Sequence, residues 1–128
     1  MDRKVIATAA ILGIVAIALG AFGAHGLKKL ISPESIIVFE TGVKYQVYHA
    51  LFLLFVGSTN LITDKAKKTI LILTVSGVAF FSVSIYFLAC NTLFSFDFKK
   101  IGFITPIGGL LLISAWVVLF LHIIKRKG

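Results

Sequence analysis

Charge is what this sequence has least of. Asp, Glu, Lys and Arg make up 14% of its 128 residues, whereas a soluble domain carries about 25%. That shortfall excludes a protein whose entire surface faces water. Acidic residues are scarcer still, with five against thirteen Lys and Arg. No paired acids, no Ser–His–Asp order and no phosphate-cradling glycine loop can be assembled from them. The chain is therefore expected not to be an enzyme. A single cysteine, Cys90, excludes an internal disulfide and a cysteine metal cluster. No metal and no other cofactor is expected.

What is present is apolar. Hydrophobic residues make up 59% of the chain, and they fall in four uncharged runs, at residues 5–27, 45–63, 69–96 and 101–124. Each meets or approaches the roughly 20 residues needed to cross a hydrocarbon core. In hydrocarbon every backbone N–H and C=O must be bonded within the protein, so a spanning segment is a helix or part of a closed barrel. The runs are continuously apolar rather than alternating with period two, which selects helices. The expected fold is all-α: an integral membrane four-helix bundle forming one four-span domain over residues 1–128, with spans at about 5–23, 43–62, 69–91 and 106–124. The first run also resembles a secretory signal, with Arg3 and Lys4 before it and Ala21-Phe22-Gly23 as a small-x-small site. Its length and regular small-residue face instead mark it as a retained helix.

Local chemistry places the boundaries. Ser32-Pro33-Glu34 combines an N-cap serine, a first-position proline and a first-turn acid. A short amphipathic helix over 33–41 is expected to follow at the interface, bending at Gly42 into the second span. Glu40 and Lys44 are four apart and could pair along it. Residues 64–68 read as a tight charged turn. Proline is tolerated at a helix start and not inside, so the fourth helix is expected to begin at Pro106 with Thr105 as its cap.

Small residues suggest how the helices meet. Ala9, Gly13, Ala16, Gly20 and Gly23 share one face of the first helix. Gly77 lies on the inward face of the third, with Thr74, Phe81, Ser84 and Asn91, and Gly108 and Gly109 lie near the start of the fourth. Such faces let helix backbones approach closely in lipid. For the first helix, packing against a neighbouring helix is favoured over a homodimer seam.

The net charge of +8 comes from Lys and Arg at the ends of the apolar runs. It reads as contact with lipid headgroups, not with nucleic acid. Eight of the thirteen basic residues fall on the side of both termini and the second loop, namely Arg3, Lys4, Lys65, Lys67, Lys68, Lys125, Arg126 and Lys127. The positive-inside rule then puts both termini in the cytoplasm.

Four segments carry a family resemblance: Gly20-Ala21-Phe22-Gly23-Ala24-His25-Gly26-Leu27, Tyr45-Gln46-Val47-Tyr48-His49-Ala50-Leu51, Phe81-Ser82-Val83-Ser84-Ile85-Tyr86 and Thr105-Pro106-Ile107-Gly108-Gly109. In order and spacing they resemble the domain-of-unknown-function 423 family, small inner-membrane proteins that include the YgdD proteins and are similar to the eukaryotic transmembrane protein 256. The resemblance covers essentially the whole chain. It implies a four-span protein of the bacterial inner membrane and carries over no catalytic residue. Val83 and Ala115 stand where the family tends to have glycine, which would thicken the third and fourth helices and loosen their packing.

The polar residues of the spans gather in one leaflet. His25, Glu40, Tyr45, Gln46, His49, Tyr86 and Asn91 form the candidate polar site. Ionisable groups within a span suggest function by default. His25 and His49, with Glu40, could relay protons, although two histidines and one acid on separate elements make no metal motif. The structural alternative is that each histidine bonds a carbonyl or a tyrosine and ties helix ends together. Two functions stay open. One is a non-enzymatic scaffold, assembly or regulatory protein, acting through the bilayer and through a homo-oligomer or a membrane-protein partner. The other is a small proton, metal or solute transporter using His25 and His49. Trp116 is read as a packing or lipid-facing aromatic.

Overall fold

The computed structural model describes residues 1–125. Arg126 and Lys127, counted above in the charge balance, lie outside the described residues. Four helices follow one another: α1 (Asp2–Ala24), α2 (Pro33–Ser58), α3 (Asp64–Ala89) and α4 (Ile104–Lys125). Single 3₁₀ turns at Leu27–Lys29, Asn91–Leu93 and Phe98–Ile101 connect them. Three stretches are long and apolar enough to cross a membrane: Asp2–Lys29, Asp64–Ala89 and Ile104–Lys125. α2 does not reach that mark, because Glu34, Glu40, Lys44, Gln46 and His49 all fall within it.

The separate interfacial helix over 33–41 is not seen. Ser32 caps as expected, its hydroxyl accepting from Ser35 N at 3.1 Å. The helix that starts there then runs unbroken for 26 residues. Gly42 is a contact and not a bend: a Cβ there would lie 2.7 Å from the Tyr86 ring. Nor do Glu40 and Lys44 pair. Among the described residues the one ion pair joins Lys67 to Asp2.

The charged turn at 64–68 also proves helical. Thr63 Oγ1 accepts from Ala66 N at 3.2 Å, and Asp64 sits in the first turn, where the N–H groups carry partial positive charge. α3 therefore begins five residues earlier than the apolar run suggests. α4 begins at Ile104, which puts Pro106 inside its first turn. The first four N–H groups of a helix have no intrahelical acceptor, so proline is tolerated there as well. Thr105 is free of capping duty and lies 2.6 Å from Ser84 Oγ.

α1 and α2 pair antiparallel along their whole lengths. The pairing runs from Gly23 against Phe39, through Gly20 against Val43, to Val5 and Ile6 against Gly57. α3 and α4 form the second hairpin. It is closest where Gly77 meets Leu112 and where a Cβ on Gly108 would collide with the backbone of Phe80 and Phe81. That contact falls on a π-helical turn, Ala79–Val83, a wider turn that offers its backbone to the facing glycine. One core draws on all four helices: Val5 and Ala9, then Phe52, Leu53 and Val56, Ile70, and Ala115. Ala115 is fully buried there, so the methyl in place of the family's glycine is accommodated. A smaller core joins Leu27, Phe39 and Ala89 at the other end. Ile14, Ile17, Leu110 and Phe120 are more than half exposed, as lipid-facing residues are in a membrane span.

Candidate functional site

Several polar residues within the helices act as cross-links between them. Gln46, buried in α2, takes a hydrogen bond from Tyr86 Oη of α3 at 2.6 Å and gives one through Nε2 to the carbonyl of Leu12 in α1 at 2.9 Å. One amide thus ties three helices. The Leu12 carbonyl is reachable because its neighbours on that face are small: Ala9 and Ala16 are buried against α2, and Gly13 presents no side chain. Four residues before Gln46, the Gly42 carbonyl accepts from the buried Ser82 hydroxyl at 2.8 Å. That hydroxyl crosses to α2 instead of bonding back along its own helix. Ser84 bonds back to Phe80 O at 2.6 Å.

His49 is buried and both of its ring nitrogens are occupied. Trp116 Nε1 lies 3.1 Å from His49 Nε2, and His49 Nδ1 lies 2.7 Å from Tyr45 O. An indole nitrogen can only donate and a carbonyl can only accept. Nε2 therefore offers its lone pair to the indole, and Nδ1 carries the hydrogen. The ring is held as one neutral tautomer. Phe52 packs on Trp116 with ring centroids 4.2 Å apart. Tyr45, His49, Phe81, Leu112 and Trp116 line a cavity of about 320 Å³.

The other expected members lie elsewhere. His25 is exposed at the end of α1, in a cavity it shares with Lys28 and Lys29. Glu40 is exposed on α2. Asn91 belongs to the loop after α3: its amide donates to Asp97 Oδ1 at 3.1 Å and its carbonyl accepts from Phe98 N at 2.7 Å. The Lys99 backbone N–H, with Asn91 beside it, holds the Asp97 carboxyl below the usual carboxylate range. The seven polar residues thus divide into an interhelical group (the buried Gln46 and His49 with the half-buried Tyr86, and Tyr45 supplying its carbonyl) and three residues that stand apart from it. Among the described residues no three His, Cys, Asp or Glu side chains are grouped to hold a metal ion.

Two features were not anticipated. Trp116 is the indole partner of His49. The signal available was its place near the middle of a span, away from the headgroup belts where tryptophan concentrates. Lys67, counted as a headgroup lysine, is buried with its Nζ 2.7 Å from Asp2 Oδ1 and 2.6 Å from Thr59 O. Nothing in the local spacing links residues 2 and 67.

Residues 19–109 match the family described as Protein of unknown function (DUF423). The chain is 38% identical over 119 residues to a UPF0382 membrane protein of Staphylococcus epidermidis, covering 93% of each. It is 35% identical over 121 residues to UPF0382 membrane protein YwdK of Bacillus subtilis, covering 91% of this chain and 92% of YwdK. A UPF0382 membrane protein of Haemophilus influenzae is 32% identical over 127 residues, covering 99% and 98%. No solved structure matches the chain. With its apolar helices and these end-to-end relatives, the chain belongs to the DUF423/UPF0382 family of small bacterial membrane proteins.

Proposed function

We propose that this protein is a non-enzymatic membrane scaffold, an assembly or regulatory factor whose product is an interaction within the bilayer. The observation that carries this reading is the state of His49. A transport or catalytic histidine needs a ring nitrogen free to exchange a proton or meet a ligand, and here the indole of Trp116 and the carbonyl of Tyr45 engage both. Gln46, Ser82 and Tyr86 hold helix to helix, while His25 opens into a different cavity.

The same reading has α2 crossing the membrane as a fourth span. It lies antiparallel along α1 from Phe39 to Gly57, so it traverses the thickness that α1 traverses. Four crossings put both termini on one side. Lys and Arg outnumber those of the opposite side there, although the Asp2–Lys67 pair offsets one of them. That side is the cytoplasm, and the membrane is the bacterial inner membrane.

Purified protein in liposomes should conduct no protons above empty vesicles, as followed by a pH-sensitive dye under an imposed potential. A flux that His49→Ala abolishes while the helices stay folded would replace the scaffold reading with transport. For orientation, a cysteine introduced at Ser32 of a Cys90→Ala background should react with an impermeant reagent applied to intact cells, and protection there would reverse the assignment.

A further inference from the structure

The turn that follows α1 is built as a basin for an anion. Leu27 is buried against Phe39 and Ala89, which pins the turn and leaves its neighbours on the surface. The cavity beside it, about 650 Å³, is lined by Ala24, His25, Gly26, Lys28 and Lys29. Every side chain on that wall is neutral or basic. Among the described residues neither lysine has a carboxylate partner, since the one ion pair is Lys67–Asp2. The His25 ring makes no hydrogen bond there. Its backbone N–H instead reaches back to Ala21 O and Phe22 O.

Lysines after a helix end also complement its dipole, and exposed side chains suffice for that. A cavity lined by three residues with nitrogen-bearing side chains goes further, because it offers a phosphate several donors at one place. Apolar residues flank this stretch in the chain: Phe22 and Leu30 are about half exposed. The Phe22 ring packs so closely that a Cβ on Gly26 would lie 3.1 Å from it. Cations above and exposed apolar side chains beside them match a phosphate headgroup with acyl chains.

We infer that His25, Lys28 and Lys29 bind the phosphate of an anionic phospholipid, with its chains against Phe22 and Leu30. This site stands whether or not the scaffold reading holds.

Native mass spectrometry of the full chain, released from detergent with equal amounts of phosphatidylglycerol and phosphatidylcholine, provides the test. Phosphatidylglycerol should be retained preferentially. A Lys28→Gln/Lys29→Gln variant should lose that retention by about tenfold or more, since a lysine near an anionic headgroup contributes about 1 kcal/mol, or roughly a factor of five. A Lys28→Arg/Lys29→Arg variant should keep it, as should Lys65→Gln/Lys68→Gln, which removes exposed charge from the other end of the bundle. Equal retention of the two lipids overturns the inference. So does equal loss in the two glutamine variants, which would reveal diffuse attraction in place of a site. Stabilisation of delipidated protein by inorganic phosphate alone, to the extent given by phosphatidylglycerol, would assign the basin to a soluble anion and overturn the lipid assignment.

Discussion

Trp116 donates its indole N–H to Nε2 of His49 across 3.1 Å, joining α4 to α2 inside the bundle. The ring so engaged donates its Nδ1–H to Tyr45 O at 2.7 Å. Of its two bonds, the one to Trp116 runs between helices and the one to Tyr45 stays within α2.

A double-mutant cycle on Trp116→Phe and His49→Ala measures that link. Interhelical hydrogen bonds in membranes contribute about 0.6 kcal/mol on average and up to roughly 1.7, and a coupling energy of about 1 kcal/mol is expected here. Reversible unfolding in mixed micelles reads it out. Additive losses would mean the two residues do not act together. Because Trp116 is the sole tryptophan, a shift of its emission in His49→Ala gives a second readout.

Glycine substitutions should divide sharply. Gly108→Ala drives a methyl into the Phe80–Phe81 backbone, which cannot rotate aside, so a loss of about 1–3 kcal/mol follows from overpacking. At Gly13 a Cβ meets nothing within 4 Å, and Gly13→Ala should leave the melting temperature unchanged within a degree or two. Equal effects at both positions would contradict the packing described.

Thr74 is fully buried and its hydroxyl has no partner among the described residues. A buried polar group without a bond is unfavourable by about 1–3 kcal/mol. Thr74→Val keeps the shape and should be neutral or stabilising in thermal denaturation. A clear loss of stability would reveal a partner for the hydroxyl.

The Asp2–Lys67 pair predicts an asymmetry. Lys67 is buried and Asp2 is more than half exposed. Asp2→Ala leaves a buried cation with only Thr59 O, and a loss of about 1 kcal/mol is expected once solvent screening at the exposed partner is allowed for. Lys67→Met removes the buried charge along with its need for a partner and should be close to neutral. Chemical denaturation in detergent compares the two.

Asp97 gives the loop between α3 and α4 a dependence on pH. Its carboxyl is held below the usual range, first by the Lys99 N–H. With the folded value beneath the unfolded one, the stabilisation is complete above the unfolded range and disappears as pH falls through the folded value. The protection of the Phe98 and Lys99 amides against exchange, taken relative to the intrinsic rate at each pH, should fall on acidification through that window, and Asp97→Asn should abolish the change.

Some of this was legible in the residues. The four apolar runs and the cap at Ser32 depend on neighbours along the chain, and they could be read there. The break expected at Gly42 could not. Glycine permits a bend and also permits a neighbour, and only the position of the Tyr86 ring, forty-four residues away, distinguishes the two. Likewise, the acid and three lysines between 64 and 68 look like a loop until the Thr63 cap and the burial of Lys67 place them in a helix.

By itself the sequence determined that this is a helical membrane protein, because the need to satisfy backbone polar groups in hydrocarbon acts on each long apolar run alone. Tertiary structure alone decided which polar side chains meet. His49 with Trp116, Gln46 with Leu12 and Tyr86, and Lys67 with Asp2 are bonds between segments far apart in sequence. Each depends on the rotation and depth of two helices relative to one another, and packing across the whole bundle sets both.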